Sequence, residues 1–246
     1  MIDAVFISDL HLHPDNAAIT YRFERFIEWA SSNARAVYIL GDFFHVWPGD
    51  DGLDEFSWSI AGQLADLQAN GVNVFFMPGN RDFLLGKAFA SIAKLILLPD
   101  PTVIDLGGEQ ILLAHGDRYC TRDTGHQWLR RLTRNWFFPK LFMKLPLSRR
   151  IKIVNEVRRH SQSNRSKPPL FMEIVVSSMI THMRKLNVRN IIHGHIHVPG
   201  KITHQEGGDF FQQYVLSDWD DKPFIMCYDQ ACGFYFVQPV ESEHAN

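Results

Sequence analysis

Residues 4–11 read Ala-Val-Phe-Ile-Ser-Asp-Leu-His. Four apolar positions run without a polar interruption and then meet a serine and an Asp-x-His. A run this short and this apolar fits a strand buried on both faces, as in a parallel sheet covered by helices; we place it at Ile2–Ser8. The pattern recurs. Ala36–Leu40 (AVYIL) leads into Gly41-Asp42, and Val72–Met77 (VNVFFM) leads through Pro78 into Gly79-Asn80-Arg81-Asp82. Between these strands the period changes. Phe23, Phe26, Ile27 and Ala30 have helical spacing, predicting a helix over Ala17–Ser32, and Asp54–Asn70 is a second helix closed by Gly71. Alternating strands and helices of this kind build an α/β fold.

Further along, Val103–Leu106 and Gln110–Ala114 form a hairpin across Gly107 and Gly108, Ile174–Leu186 is helical, and Val188–His193 is another strand. The tail from Lys201 to Val240 reads as several antiparallel strands. At 246 residues, one domain over 1–246 with a large insertion is the expected organisation. The insertion is Thr124–His160, within 123–167. Its aromatics are Trp128, Trp136, Phe137, Phe138 and Phe142, and Phe138, Leu141, Phe142 and Leu145 share one helical face. Pro139 and Pro146 should break it into short helices. It reads as a helical cap on the α/β body.

Composition narrows the class. No apolar run approaches the roughly 18 residues of a membrane span, and the strand-like start, with Asp3 and Asp9, argues against a secretory leader. Three irregularly spaced cysteines (Cys120, Cys227, Cys232) do not form a disulfide framework, so a reducing cytoplasm is expected. The net charge of −2 conceals an asymmetry: Arg118–Lys167 holds fourteen Lys/Arg and two acids, leaving eleven basic and twenty-five acidic residues elsewhere. A basic block in an acidic chain suggests a local anionic partner such as phosphate, nucleic acid or a membrane surface.

Five motifs carry the chemistry, each at the end of an expected strand: Asp9-Leu10-His11, Gly41-Asp42, Gly79-Asn80-Arg81-Asp82, His115-Gly116-Asp117 and Gly194-His195-Ile196-His197. Loops at the carboxyl ends of strands can converge. Aspartate, asparagine and histidine together offer hard oxygen and imidazole nitrogen, a donor set for Mn²⁺, Fe or Zn²⁺, and the lack of cysteine argues against a structural zinc. A lone Asp-x-His is more often a turn beside a surface histidine; five such motifs in order, each after an apolar strand, do not arise from packing needs. His193, at a strand end, is expected to support the site rather than ligate.

These motifs resemble those of the calcineurin-like metallophosphoesterases, and they span residues 9–197. The resemblance implies a β-sandwich flanked by helices and a two-metal centre. Asp9, His11, Asp42 and His197 would hold one metal; Asp42 would bridge to a second that also takes Asn80, His115 and His195. Imidazole-rich ligands favour two Mn²⁺ over Mg²⁺. Such a pair activates water and stabilises charge during an in-line displacement. One position departs from the common pattern, in which a histidine follows the asparagine. Here it is Arg81, which stays protonated and cannot shuttle a proton but can hold a phosphate oxygen through two hydrogen bonds. That suits a leaving group that is itself a phosphate. The alternative is a salt bridge from Arg81 to Asp82 or Asp123.

Gly79–Gly86, Cys120–Asp123 and the Ser161, Asn164 and Lys167 cluster resemble the branch of this family that cleaves the pyrophosphate of a lipid nucleotide, UDP-2,3-diacylglucosamine, into lipid X and UMP during lipid A synthesis. The resemblance implies catalytic roles for Arg81, Asp42 and His195. It implies substrate contacts at Asn80, Arg81, Asp123, Ser161, Asn164, Lys167 and His195. The insertion agrees independently: its aromatics can receive acyl chains, and Arg130, Arg131, Arg134, Lys140, Lys144, Arg149, Arg150, Lys152, Arg158 and Arg159 can meet an anionic bilayer. The expected location is therefore peripheral, on the cytoplasmic face of the inner membrane. The block could instead be a solvated charged face. The competing enzyme is a soluble dinucleoside-polyphosphate or nucleotide pyrophosphatase, for which the aromatic cap is surplus. A nuclease would want an extended basic groove with stacking aromatics, so nucleic acid is not the expected partner. A non-catalytic binding module would tolerate a missing ligand, and none is missing. No obligate protein partner is evident.

Overall fold

In the computed structural model, which describes residues 1–163 and 173–238 (of residues 158 and 160–163 the backbone alone), two β-sheets lie between helices. The first sheet takes β1 (Ala4–Ile7), β2 (Ala36–Leu40), β3 (Asn73–Met77) and β4 (Ile96–Leu97) as parallel neighbours. β10 (Ile225–Asp229) joins antiparallel to β1, and β11 (Gly233–Val237) to β10. The second sheet has the order β5 (Thr102–Leu106), β6 (Glu109–Ala114), β7 (Asn190–His193), β9 (Asp209–Val215), β8 (Gly200–Glu206).

The period-two alternation of each strand explains the layering. On β1, Ala4 and Phe6 pack between the sheets against Leu40, Met77, Leu113 and Ile192. Val5 and Ile7 point the other way, to Phe23, Phe26 and Ala30 of α1 (Ala17–Asn33) and to Ile60 and Leu64 of α2 (Glu55–Ala69). On β6, Ile111 and Leu113 enter the inter-sheet layer, whereas Leu112 and Ala114 meet Met179, Ile180 and Met183 of α7 (Val176–Lys185). Both faces of the central strands are buried, which is why they read as unbroken apolar runs. The helix starts are capped as their sequences allow: Asn16 Oδ1 accepts from Ile19 N at 3.3 Å, and Asp54 and Ser57 form a reciprocal capping box.

The tail differs from a simple antiparallel run. β8 and β9 form a hairpin, but β9 lies parallel to β7, and β10 and β11 cross to the other sheet. This crossing carries residues 216–224 past the ends of β1 and β7. Two elements lacked a sequence signal strong enough to single out: α3 (Lys87–Ile92) and the two-residue β4.

Between β6 and α7 the chain forms α4 (Thr124–Thr133), α5 (Phe138–Phe142) and α6 (Leu147–Ser163). Pro139 lies in the first turn of α5, and Pro146 directly precedes α6. The shared apolar face is divided: Phe138, Phe142 and Leu145 join the core around α1 and α2, while Leu141 faces out. Trp128 and Trp136 are 66% and 75% exposed, and Phe137, Ile151, Ile153 and Val157 are exposed with them.

The basic residues divide in the same way, which corrects their reading as one outward block. Arg130 reaches Asp117 Oδ1 (3.0 Å) and Asp100 Oδ2 (2.7 Å), and Arg134 donates to the carbonyls of Pro78 (2.7 Å) and Gly79 (2.9 Å). Arg150 is 1% exposed; it donates to the Leu145 carbonyl at 3.0 Å, to the Pro48 carbonyl and to Asp51. Arg131, Lys140, Lys144, Arg149 and Lys152 remain outside.

Arg150 is therefore structural. Arg150→Ala should destabilise the fold by about 2–4 kcal/mol, since charge-assisted hydrogen bonds contribute about 1.5–3 kcal/mol each and two carbonyls lose a donor, whereas Arg149→Ala should change stability by less than about 0.5 kcal/mol. Urea unfolding of the two variants checks this; equal midpoints would show that the Arg150 contacts contribute nothing.

Candidate metal centre

All five motif loops leave the carboxyl ends of β1, β2, β3, β6 and β7 and meet. Asp9 Oδ2 accepts from Ser8 Oγ (2.6 Å) and from the backbone N–H of His195 (2.8 Å), joining the first motif to the last. Gly194 N donates to His115 O (2.9 Å), and His11 N donates to Asp42 O (3.0 Å). Asp9, His11, Asp42, His195 and His197 all have left-handed backbones, with φ between 52° and 72°. For residues with a Cβ this conformation costs about 1–2 kcal/mol each. The surrounding bonds maintain it. Asp82, fully buried, accepts from Gly79 N (2.7 Å) through Oδ1 and from Phe43 N (2.7 Å) through Oδ2, tying the second loop to the third. The close approach also needs Gly79 and Gly194: a Cβ on Gly79 would enter the Asp42 carboxylate, and one on Gly194 the Asp9 carboxylate and Ser8.

The side chains form two halves. Asp9, His11 and His197 offer ligand atoms within 4.8 Å of one another, and so do Asp9, Asp42 and His115. Asp42 stands between the halves, Oδ2 3.4 Å from His11 Nε2 and Oδ1 3.5 Å from His115 Nε2. His115 Nδ1 lies 3.0 Å from the Leu40 carbonyl and so carries its proton there, which leaves Nε2 facing Asn80 Oδ1 at 2.9 Å and Asp42. His195 packs edge-on against His115, with ring centroids 5.0 Å apart.

The electrostatics point the same way. Burial would raise the Asp42 carboxyl, yet His115, His11 and Arg81 beside it hold it well below the usual carboxylate range. Burial opposes charge on His115, but the surrounding carboxylates, Asp42 foremost, push its pKa up to about 9. Burial and the His115 charge draw His195 down to about 3, so its ring is neutral, as a ligand must be. Asp9 Oδ1 is buried without a hydrogen bond; His197 Nε2 lies 3.3 Å away. Asn80 Oδ1 and Asp42 Oδ1 both face His115 Nε2, whose proton a cation would displace, and an orphaned carboxylate oxygen sits in the other half. These residues fit divalent cations in both halves.

Arg81 pairs with neither Asp82 nor Asp123. Its backbone N–H donates to Asp42 Oδ1 (3.0 Å), and its Nε lies 3.2 Å from Asp42 Oδ2, because the Asp82 carboxylate is already occupied by backbone donors. The guanidinium also lines a cavity of about 370 Å³ beside His11 and His197. Asp123 caps α4, accepting from His126 N at 3.1 Å. This sets His126 against His195, with ring centroids 5.6 Å apart. Ser161 falls in the last turn of α6, its side chain outside the described residues, as are Asn164 and Lys167 altogether. Both ring nitrogens of His193 are committed, Nδ1 to Gly194 O (2.8 Å) and Nε2 to Gln213 Nε2 (2.8 Å), in keeping with a supporting role.

Sequence reasoning did not find Asp218. Its Oδ2 lies 3.2 Å from His197 Nδ1, the arrangement in which a carboxylate orients a ligating imidazole. Nothing in the spacing of Ser217-Asp218-Trp219 marks it; the crossing from β9 to β10 delivers it. Asp117 was visible in its motif, but its partner Arg130 was not.

The sequence pattern of the calcineurin-like phosphoesterases matches residues 3–199. The chain is 42% identical to a UDP-2,3-diacylglucosamine hydrolase of Pseudomonas paraeruginosa over 226 residues, covering 92% of this chain and 94% of that protein. It is 40% identical to one from Pseudomonas fluorescens, covering 96% of each, and 39% identical to one from Aeromonas salmonicida, covering 92% and 89%.

Asp218→Asn should weaken metal binding about 10–100-fold, the usual effect of losing a carboxylate partner of a ligating histidine, and only in the His11–His197 half. A chelator titration resolving the two halves checks this; unchanged affinity in both would remove Asp218 from the centre.

Proposed function

The chain belongs to the calcineurin-like phosphoesterase family, and from its likeness to UDP-2,3-diacylglucosamine hydrolases within that family we propose that it hydrolyses the pyrophosphate bond of UDP-2,3-diacylglucosamine, giving 2,3-diacylglucosamine 1-phosphate and UMP as a step of lipid A synthesis. Membership implies divalent metal ions. We assign them to Asp9, His11, Asp42 and His197 in one half and to Asn80, His115 and His195 in the other, with Asp42 between. Two Mn²⁺ suit this donor set, because four imidazoles favour a transition metal over Mg²⁺. When bound, such ions supply Lewis-acid charge and lower the pKa of water.

The observation that carries the reading is Arg81. Its guanidinium lies at the mouth of the centre, against Asp42 and facing the cavity. It cannot act as a proton donor, so it suits a leaving group that departs as a phosphate without needing one. Its fork can hold non-bridging oxygens and stabilise their developing charge. Asn80 positions the same group, and His195, kept neutral by burial, shapes the other end. The α4–α6 segment acts as the cap. Its exposed Trp128, Trp136 and Phe137 provide apolar surface for acyl chains, and Asp123, Ser161, Asn164 and Lys167 are assigned to the sugar phosphate. Among the described residues no helix is long and apolar enough to cross a membrane; contact with the inner membrane is through the exposed part of this segment and anionic lipid.

The activity is tested by giving metal-stripped protein Mn²⁺ or Mg²⁺ and following labelled UDP-2,3-diacylglucosamine beside a dinucleoside polyphosphate. The lipid nucleotide should be the better substrate, and Mn²⁺ the better activator; preference for the dinucleoside polyphosphate would favour the soluble pyrophosphatase. Arg81→Ala should lower kcat by about 10²–10³-fold, the usual loss for one charge-stabilising donor, with metal content intact. A parallel fall in bound metal would make Arg81 structural. For the membrane, Arg149→Glu with Lys152→Glu should reduce sedimentation with anionic vesicles by more than about tenfold, at roughly 1 kcal/mol per basic residue, and the difference should fade with salt. Unchanged sedimentation would leave these charges facing solvent only.

A further inference from the structure

Besides His11, His197 and Arg81, the cavity beside Arg81 is lined by six residues that the centre does not use. His13 and His45 stand with their rings 5.1 Å apart at 72°, and His45 lies 6.3 Å from the ring of His11. Asp15, Asn16 and Asp220 complete the wall, and Ile19 is its single aliphatic side chain. Among the described residues, none of α4–α6 lines it. Of those helices, α4 meets the other end of the centre, where His126 packs on His195 and Arg130 holds Asp117. The centre thus has two unlike flanks. At the His115–His195 end lies a segment with exposed aromatic surface. At the His11–His197 end lies a small polar recess, with Arg81 reaching it from the middle.

A pyrophosphate joining an acylated sugar to a nucleoside also has two unlike arms. Acyl chains cannot be satisfied by a wall of carboxylates, an amide and imidazoles around one isoleucine, because the polar groups would lose water and gain no partner. A nucleoside can. Its ribose hydroxyls donate to carboxylates, its base accepts from an amide N–H₂, and its flat face packs on aromatic rings. Asn16 spends its Oδ1 on capping α1, which leaves its amide nitrogen as a donor. A volume of about 370 Å³ is at the small-ligand end of the usual range of about 300–1,000 Å³. We infer that this recess is the subsite for the nucleoside arm: His13 and His45 hold the base, Asp15 and Asp220 the ribose, and Arg81 the adjoining phosphate. The assignment rests on the pyrophosphatase reading and fixes the direction of the substrate across the centre, nucleoside at the His11–His197 end and acylated sugar under α4–α6.

The test measures binding of the two product halves separately and without turnover, so that it stands apart from the identity of the substrate. UMP, ribose 5-phosphate and 2,3-diacylglucosamine 1-phosphate are titrated by calorimetry into the Mn²⁺-loaded protein and into His13→Ala, His45→Ala and Asp220→Asn. UMP should bind wild type about tenfold more tightly than ribose 5-phosphate. Each variant should weaken UMP about fivefold or more while leaving the acylated sugar phosphate within about twofold, and bound metal should be unchanged. Weakened binding of the acylated sugar phosphate with UMP unaffected would reverse the orientation and overturn the inference. Equal affinity for UMP and ribose 5-phosphate, or no effect of any variant on UMP, would also overturn it. If UMP binds as described but the lipid nucleotide is not hydrolysed, the subsite stands and the lipid substrate falls.

Discussion

Two carboxylates, Asp9 and Asp42, are buried at the ends of adjacent parallel strands, and the rest of the molecule is arranged around the negative charge they hold there. A buried, ionised carboxylate carries an effective penalty of several kcal/mol unless cations or donors surround it. The protein supplies part of the compensation: the backbone N–H groups of His195 and Arg81, the Ser8 hydroxyl, the Arg81 guanidinium and the imidazoles of His11, His115 and His197. The remainder is left to divalent cations, whose binding is thereby coupled to the stability of the loops. Burial that would be a defect in an ordinary core is here the source of metal affinity.

The same demand explains where strain is kept. Five residues with left-handed backbones turn their side chains inward from the ends of extended strands. Such conformations persist only where neighbouring structure over-determines them. Asp82 does this for the loops at Asp42 and Asn80, and the exchange between Asp9, Ser8 and His195 does it across the two sheets, for the loops after β1 and β7. The two sheets are therefore joined twice, by the apolar layer between them and by hydrogen bonds at the centre. A divided site holds its shape because its halves belong to one packed body.

The α4–α6 segment repeats this division of labour at larger scale. Arg130, Arg134 and Arg150 face inward and fasten the segment to Asp117, to the carbonyls beside Asn80 and to the 48–51 loop. Phe138 and Phe142 do the same through the core. Trp128, Trp136, Arg149 and Lys152 are left outward. An amphipathic segment so anchored presents apolar and basic groups beside the centre without being part of it. In the proposed reaction that places acyl chains and bilayer on one side of the pyrophosphate and the nucleoside on the other.

Much of this was legible in the chain itself. Apolar runs buried on both faces, each ending in Asp, Asn or His, announced the parallel strands, the order of the loops and the residues that gather at the centre. These are local signals: an unbroken run such as Ala4–Ile7 has few other ways to bury itself, and a carboxylate or imidazole directly after it must lie at the strand end. Pairings between distant segments had no such signal. The link from Asp218 to His197 depends on the chain crossing from β9 to β10, and the inward turn of Arg150 depends on Pro48 and Asp51, about a hundred residues earlier. Arginine reads the same in sequence whether its guanidinium faces water or a buried carbonyl, so the basic block seemed uniform until packing divided it. Residue type and local period determined the strands and the residues that gather at the centre; which polar groups meet across the fold was decided only when the two sheets and the α4–α6 segment came together, because charge pairing acts through space and leaves no period in the chain.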